Sequence, residues 1–159
     1  MSTPPIIWSC KKFEDLTVPE LYTILKLRNE VFVVEQNCVY PDMDGKDIPS
    51  LHLCASLHLC GWLNNQLLVA YARLIPAGIA YTEASIGRVV SNAAYRKNGY
   101  GKKLMQKAIE ACYTNFGKQP IKIGAQQYLV NFYESFGFHV ISDPYIEDGI
   151  PHVEMLLSN

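Results

Sequence analysis

Gly87-Arg88-Val89-Val90-Ser91-Asn92-Ala93-Ala94-Tyr95-Arg96-Lys97-Asn98-Gly99-Tyr100-Gly101-Lys102-Lys103-Leu104 joins an apolar, strand-like segment to a basic, glycine-bearing turn that opens a helix. Glycines at 99 and 101 let the backbone come close to a ligand, and the free N–H groups of a helix's first turn point at an anion placed there. Arg96, Lys97, Lys102 and Lys103 crowd the same helix end, where the macrodipole disfavours each cation by ~0.3–1 kcal/mol. A bound polyanion compensates for both. The two nucleotide-loop patterns do not fit, because no Gly-Lys-Ser/Thr follows the turn and no third glycine stands at the dinucleotide offset. Taken alone, the same residues also describe a helix start carrying solvated lysines.

Outward from this stretch the chain alternates between strand and helix signals. Ile6 to Phe13 reads as a first strand, and Thr17-Val18-Pro19-Glu20 as a capping box that opens a helix. Leu21, Leu25, Arg28 and Phe32 form its apolar stripe, flanked by Ile24 and Val31, up to about Val34. Residues 41–49 read as a loop. Period-two alternation from Leu51 to Leu63 predicts a strand, Asn64-Asn65 a tight hairpin turn, and Gln66 to Ile75 the returning strand. Ala84 to Ser91 is the next strand. The helix opening at Asn98 buries Leu104, Met105, Ala108, Ile109, Cys112 and Phe116 and stops at Gly117, with Pro120 beyond. Ile121 to Ala125 follows as a short strand, then a helix through Leu129, Phe132, Tyr133 and Phe136 that ends at Gly137. Two last strands are predicted near Phe138–Ile141 and His152–Leu157. Strands separated by helices imply an α/β chain with a mixed, partly parallel sheet.

With 159 residues and 49% hydrophobic content, the chain has the size of one domain spanning residues 1–159. A chain of that size buries roughly two-thirds of its unfolded surface. A formal net charge of -1 gives no bulk attraction to nucleic acid or to an acidic membrane, so the local basic turn implies a small anionic partner. No apolar run approaches the ~20 residues of a membrane helix. Five scattered cysteines, without a Cys-x-x-Cys pair and after a start that has no basic leader, predict a reducing cytoplasm.

No metal is expected. His52-x-Cys54 and His58-x-Cys60 offer zinc-ligand side chains, but residues eight apart on a strand lie roughly 26 Å from each other, far beyond one tetrahedral site. Asp42-x-Asp44-Gly45-x-Asp47 echoes a calcium loop and lacks its twelve-residue span and terminal glutamate.

Arg96-x-x-Gly99-x-Gly101, after Val89-Val90, resembles the acetyl-coenzyme A signature of the GNAT superfamily of N-acetyltransferases. Gln126 to Phe138, with a tyrosine-bearing helix that ends at Gly-Phe, is similar to a second GNAT segment. Arg28 to Gln36, Ala70 to Arg73, Gly124 to Gln126 and Asp148 to His152 narrow the resemblance to the ElaA-like branch, from about Phe13 to Met155. The resemblance implies a GNAT fold: a mostly antiparallel sheet with one splayed parallel strand pair, Gly87–Ser91 beside Ile121–Ala125, flanked by helices.

It also implies a site. Backbone groups of Val89, Val90 and Ser91 would pair with the pantetheine arm of acetyl-CoA, and N–H groups from Arg96 through Lys97, Asn98, Gly99, Tyr100, Gly101 and Lys102 would hold the pyrophosphate. Tyr133 stands where the family's tyrosine protonates the departing thiolate; without the resemblance it reads first as a core tyrosine beside Phe132 and Phe136. Gln126 or Asn131 takes the place of a cofactor-contacting asparagine. Glu35, His58, Asp148, His152 and Glu154 are the candidate bases or amine-binding groups, with Glu35 and His152 foremost; spacing assigns none of them, and a water-mediated base is equally open. Two functions follow from the resemblance. One is transfer of acetyl from acetyl-CoA to an amine of a small molecule or peptide, by direct attack. The other is a coenzyme A-binding module that senses the acetyl-CoA pool without turnover, in which Tyr133 has no task. The family analogy is compatible with a homodimer, and the sequence leaves the oligomeric state open.

Overall fold

The computed structural model describes residues 4–48 and 56–158. Eight strands form one sheet in the order β1-β2-β3-β4-β5-β8-β6, with β7 also paired to β8. Strands β1 (Ile6–Lys12), β2 (Leu57–Leu63), β3 (Leu67–Ile75) and β4 (Ala84–Ser91) form an antiparallel meander, and β5 (Ile121–Gln126) lies parallel to β4. The sheet closes antiparallel through β8 (Ile150–Leu157), which carries β6 (His139–Val140) and β7 (Tyr145–Glu147). This is the expected architecture: mostly antiparallel, with one parallel pair and helices on its faces.

Two helices cover the sheet. α2 (Tyr100–Phe116) places Leu104, Met105, Ala108 and Cys112 on Leu57, Leu59, Ala72, Leu74, Ile86, Ile121 and Ile123, which makes the larger core. α1 (Val18–Arg28) covers the other face, with Ile24 and Leu27 against Cys60, Leu68, Tyr71 and Val90. Strand β2 is therefore buried on both sides: Leu57 and Leu59 face α2, while His58 and Cys60 face the other way. Its alternation separates two buried faces rather than core from solvent. The part of that predicted strand at residues 51–55, with His52 and Cys54, lies outside the described residues.

Local chemistry explains most boundaries. Thr17 and Glu20 form the reciprocal capping box, with Glu20 N–H donating to Thr17 Oγ1 at 3.2 Å and Thr17 N–H to the Glu20 carboxylate at 2.8 Å. Asn64 and Asn65 both take positive φ, 52° and 58°, as a type I′ hairpin turn requires. Gly117, at φ 82°, ends α2.

Several boundaries differ from expectation. The fully buried face of α1 and the turn after it holds Arg28 of the predicted stripe, the flanking Ile24 and Val31, and Leu27, whereas Leu21, Leu25 and Phe32 are only half-buried. After Arg28 the chain widens into a π-helical turn, Asn29–Glu35, with Gln36 N–H bonded to Val31 O at 3.1 Å and Cys38 N–H to Val33 O at 3.0 Å. The helix around Tyr133 is short, α3 (Val130–Glu134), preceded by a 3₁₀ turn, Gln127–Leu129. Strand β7 was not foreseen. Asp148 and Gly149, at φ 49° and 77°, turn it into β8, so that the last strand starts at Ile150 rather than His152.

Candidate active site

Strands β4 and β5 are joined only through Ala84 with Ile121 and Ser85 with Lys122. Beyond those pairs they separate. Between Tyr71↔Val90 and Arg73↔Gly87, β4 holds one more residue than β3, a bulge that puts Arg88 at φ 52° and bends the strand away from β5. The gap opens into a cleft of about 830 Å³ between the sheet and the π-helical turn.

The bulge is fastened by charge. Arg88 Nε lies 2.8 Å from Asp42 Oδ1, and its Nη2 donates to Asp42 O at 3.0 Å. Asp42 also receives Arg28 Nε at 2.8 Å and the Tyr40 hydroxyl at 2.8 Å. Asp47 accepts from Arg28 Nη1 at 2.6 Å and Arg73 Nη1 at 3.0 Å, while Asp44 takes both terminal nitrogens of Arg73, at 2.7 and 2.9 Å. Three arginines from α1, β3 and β4 thus clamp three aspartates of one loop. Burial alone would push the Asp44 and Asp47 carboxyls up, but hydrogen bonds from Arg73 to Asp44 and from Arg28 to Asp47 outweigh it and hold both below the usual carboxylate range. The loop that echoed a calcium site spends its carboxylates on guanidinium groups. Among the described residues no cluster of ligating side chains could hold a metal.

His58 belongs to the same knot and not to the cleft. Its Nε2–H donates to Asp47 O at 3.1 Å, so Nδ1 accepts from the Tyr71 hydroxyl at 2.7 Å. Burial pushes its pKa down and keeps it neutral.

The cleft gathers nine of the predicted site residues: Glu35, Val89, Val90, Ser91, Arg96, Gln126, Tyr133, Asp148 and His152. Glu35 and Arg96 form a bidentate ion pair across its mouth, with one contact between Arg96 Nη2 and Glu35 Oε2 at 2.9 Å. The hydrogen bonds from Arg96 pull the Glu35 carboxyl below its ordinary value. Gln126 lines the cleft and donates to Gln36 Oε1 at 3.3 Å, whereas Asn131 sits exposed on α3 outside it.

The remaining predicted residues form the turn before α2. Gly99, at φ 74°, is the N-cap and supplies no side chain; an added Cβ would meet nothing within 4 Å, so the space above the helix end is open. Lys103 N–H bonds to Gly99 O at 3.2 Å, which leaves the N–H groups of Tyr100, Gly101 and Lys102 at the helix start. Lys97 is at φ 72°, and the Asn98 amide is bound to Tyr95 O at 2.9 Å. The Tyr100 ring turns inward between Leu63 and Val69. Only its backbone faces the turn.

Tyr133 is 7% exposed, stacked edge-on with Phe132 and Phe138, and still lines the cleft. Both sequence readings meet in it, core packing and cleft access. Burial pushes its pKa up to about 12, so the phenol keeps its proton at neutral pH.

His152 is 8% exposed, and its Nδ1–H donates to Ile150 O at 2.7 Å. In the neutral ring that bond leaves Nε2 as a lone pair, 3.5 Å from Glu147 Oε2. Glu154, by contrast, is paired with Lys122 at 3.1 Å.

The arginine–aspartate knot was missed because its members come from residues 28, 42–47, 73 and 88, which no local spacing connects. Tyr81, Gly124 and Glu147 in the cleft wall were missed for a related reason. Asp148-Gly149, a strong hairpin dipeptide, was the available signal for Glu147.

A family model described as an acetyltransferase (GNAT) domain matches residues 62–158. The chain is 43% identical to the protein ElaA of Escherichia coli over 150 residues, which is 94% of this chain and 95% of that one. The crystal structure of E. coli ElaA superposes with a TM-score of 0.85 at 42% identity, covering 95% of this chain and 98% of that one. An acyl-CoA N-acyltransferase from Pseudomonas aeruginosa superposes with a TM-score of 0.88 at 40% identity, covering 96% and 99%. With a splayed β4–β5 pair, an open α2 start and relatives that span nearly its whole length, the chain belongs to the GNAT acetyltransferase family, in its ElaA-like branch.

Proposed function

We propose that this acyltransferase moves acetyl from acetyl-CoA to a primary amine by direct attack within a ternary complex. The observation that carries the reading is the cleft between β4 and β5, which brings a protonated, buried Tyr133 and a basic His152 nitrogen to one cavity. Among the described residues the β4 edge that faces β5 has no strand partner beyond Ser85, so Val89, Val90 and Ser91 have backbone groups with which to bind an extended pantetheine arm. The uncapped start of α2 suits the pyrophosphate, with Tyr100, Gly101 and Lys102 N–H groups as donors. Gln126 rather than Asn131 is the amide that reaches the cleft.

His152 is the better base. Glu35 is occupied by Arg96 and its carboxyl is lowered in pKa, whereas the His152 Nε2 lone pair faces Glu147, which would stabilise the imidazolium. Attack forms the C–N bond and a tetrahedral oxyanion, whose collapse breaks the C–S bond; the amine's proton passes to His152 Nε2, and Tyr133 Oη protonates the departing sulfur. A cleft-facing N–H of β4 would bear the developing oxyanion, a contribution of ~2.7–4 kcal/mol in other enzymes.

The test is calorimetric binding of acetyl-CoA to the protein and to Gly99→Asp/Gly101→Asp, followed by thiol release with a panel of amines. Binding lost in the variant, with thiol release by the parent, is expected. Binding without release for any amine would leave the non-catalytic sensor instead.

A further inference from the structure

The wall opposite the π-helical turn has a chemistry of its own. In β5 and β8 one face is apolar: Ile121, Ile123, Ala125, Val153 and Met155 all enter the α2 core. The other face is polar, because pairing sets Gly124 opposite Glu154, Gln126 opposite His152, and Tyr145 of β7 opposite His152. Glu147 continues the same face as Tyr145. This face, with Asp148 at the hairpin tip, borders the cleft.

The cations that line the cleft are neutralised in place. Arg73 and Lys46 are paired with Asp44, Arg88 with Asp42, and Arg96 with Glu35. Among the described residues, the carboxylates of Glu147 and Asp148 have no lysine or arginine within ion-pair distance; Glu147 faces only His152. The uncompensated charge of the cavity is negative and lies at one end. There His152 is 92% buried, the complement of its 8% exposure, and its Nε2 makes no hydrogen bond.

A second feature marks the spot. The hydroxyls of Tyr81 and Tyr145 converge over Gly124, where a Cβ would lie 3.0 and 3.1 Å from them. A methyl group there would press on both hydroxyls and push them aside by a few tenths of an ångström. Burial pushes the Tyr81 pKa up to about 12, so it stays a neutral hydroxyl with oxygen lone pairs facing the space. Two phenol oxygens on the wall that also carries the Glu147 and Asp148 carboxylates can accept from an alkylammonium group, and the stacked Tyr145–His152 pair supplies an apolar edge for its methylenes.

We infer that this wall selects dicationic amines, linear diamines as a class, with one nitrogen deprotonated for reaction and the second held as an ammonium by Glu147, Asp148 and the Tyr81 and Tyr145 hydroxyls. The inference rests on the acetyl-transfer reading, and it narrows the acceptor from any primary amine to one with a second positive charge.

The test compares 1,4-diaminobutane with butylamine, which differ only in the second nitrogen, and glycine as an acceptor with a negative charge. The parent is expected to favour the diamine over butylamine in kcat/KM by about tenfold or more and to use glycine least. In Asp148→Asn/Glu147→Gln the diamine-to-butylamine ratio falls toward one, with the acetyl-CoA dissociation constant unmoved. Gly124→Ala raises KM for the diamine more than for butylamine. Equal use of the two amines by the parent, or a ratio that survives the double substitution, overturns the inference and leaves acetyl transfer standing. If no amine is acetylated, calorimetry of 1,4-diaminobutane on the coenzyme A complex decides separately: binding weakened by the double substitution upholds the wall, and no binding overturns it.

Discussion

Asp47→Ala should be among the most damaging single changes available outside the apolar core. Its carboxylate receives Arg28 Nη1 at 2.6 Å, Arg28 Nη2 at 3.3 Å and Arg73 Nη1 at 3.0 Å. Arg28 is fully buried and Arg73 is 3% exposed, so neither guanidinium can turn to water when that partner is lost. Removing one member of a buried, hydrogen-bonded ion pair costs about 3–5 kcal/mol, a large share of the ~5–15 kcal/mol by which domains are stable. At about 2–4 °C per kcal/mol for a chain of this size, Tm should fall by about 6–20 °C. Urea unfolding at pH 7 measures it, with Lys107→Ala as the comparison. The Lys107–Glu110 pair is also close, 3.3 Å, but both side chains are exposed, and its loss should stay within ~0.5 kcal/mol. An Asp47→Ala penalty below ~1 kcal/mol would refute this reasoning, since Arg28 and Arg73 would then find other partners without cost.

Stability should also fall as pH drops from about 6.5 toward 5. The His58 pKa is lowered by burial, so the folded state binds fewer protons than the unfolded one below the ordinary histidine value of 6.5, and the stability present above it is progressively lost. Asp44 and Asp47 keep their charge over that window because their carboxyls titrate below the usual range, so His58→Gln should flatten the slope of the urea midpoint against pH, and an unchanged slope would count against the assignment. Tyr133→Phe should lower kcat by about 10²–10⁴ while acetyl-CoA affinity holds; unchanged turnover would remove it as the acid. Glu35→Gln frees Arg96 and should tighten coenzyme A binding about 1.5- to 5-fold, the fold-change of an exposed pair worth ~0.2–1 kcal/mol, whereas weaker binding would mean that Glu35 supports the turn rather than competing for it.

What was legible in the sequence was whatever the chain writes locally. The capping box at Thr17, the asparagine hairpin at 64–65, the limits of β4 and the glycine stop of α2 at 117 each depend on neighbours within a few residues, and each is found where the spacing placed it. The boundaries that moved depend on distant partners. Arg28 can be fully buried on α1 because Asp42 and Asp47 lie across the fold, and β7 exists because β8 offers it an edge. In the candidate site, the glycines and the tyrosine were visible as motifs, while the pairing of Glu35 with Arg96 joins residues 61 apart and could not be. A three-residue strand and a charge knot assembled from four segments leave no periodic trace in a sequence.

The short seam between β4 and β5 has a consequence for how the molecule comes apart. Among the described residues, Ala84 with Ile121 and Ser85 with Lys122 are the only pairs that join strands β1–β4 to strands β5–β8 as sheet, and each of those plates is paired antiparallel within itself. α2 lies over both like a strap, with Met105 and Ala108 in the one apolar cluster that contains Ala72 from the first plate and Ile123 from the second. Amide exchange should therefore divide the sheet into two cooperative units that open at different free energies. The turn at residues 117–120, between the strap and the second plate, is the natural place to cut the chain into two pieces that find each other again.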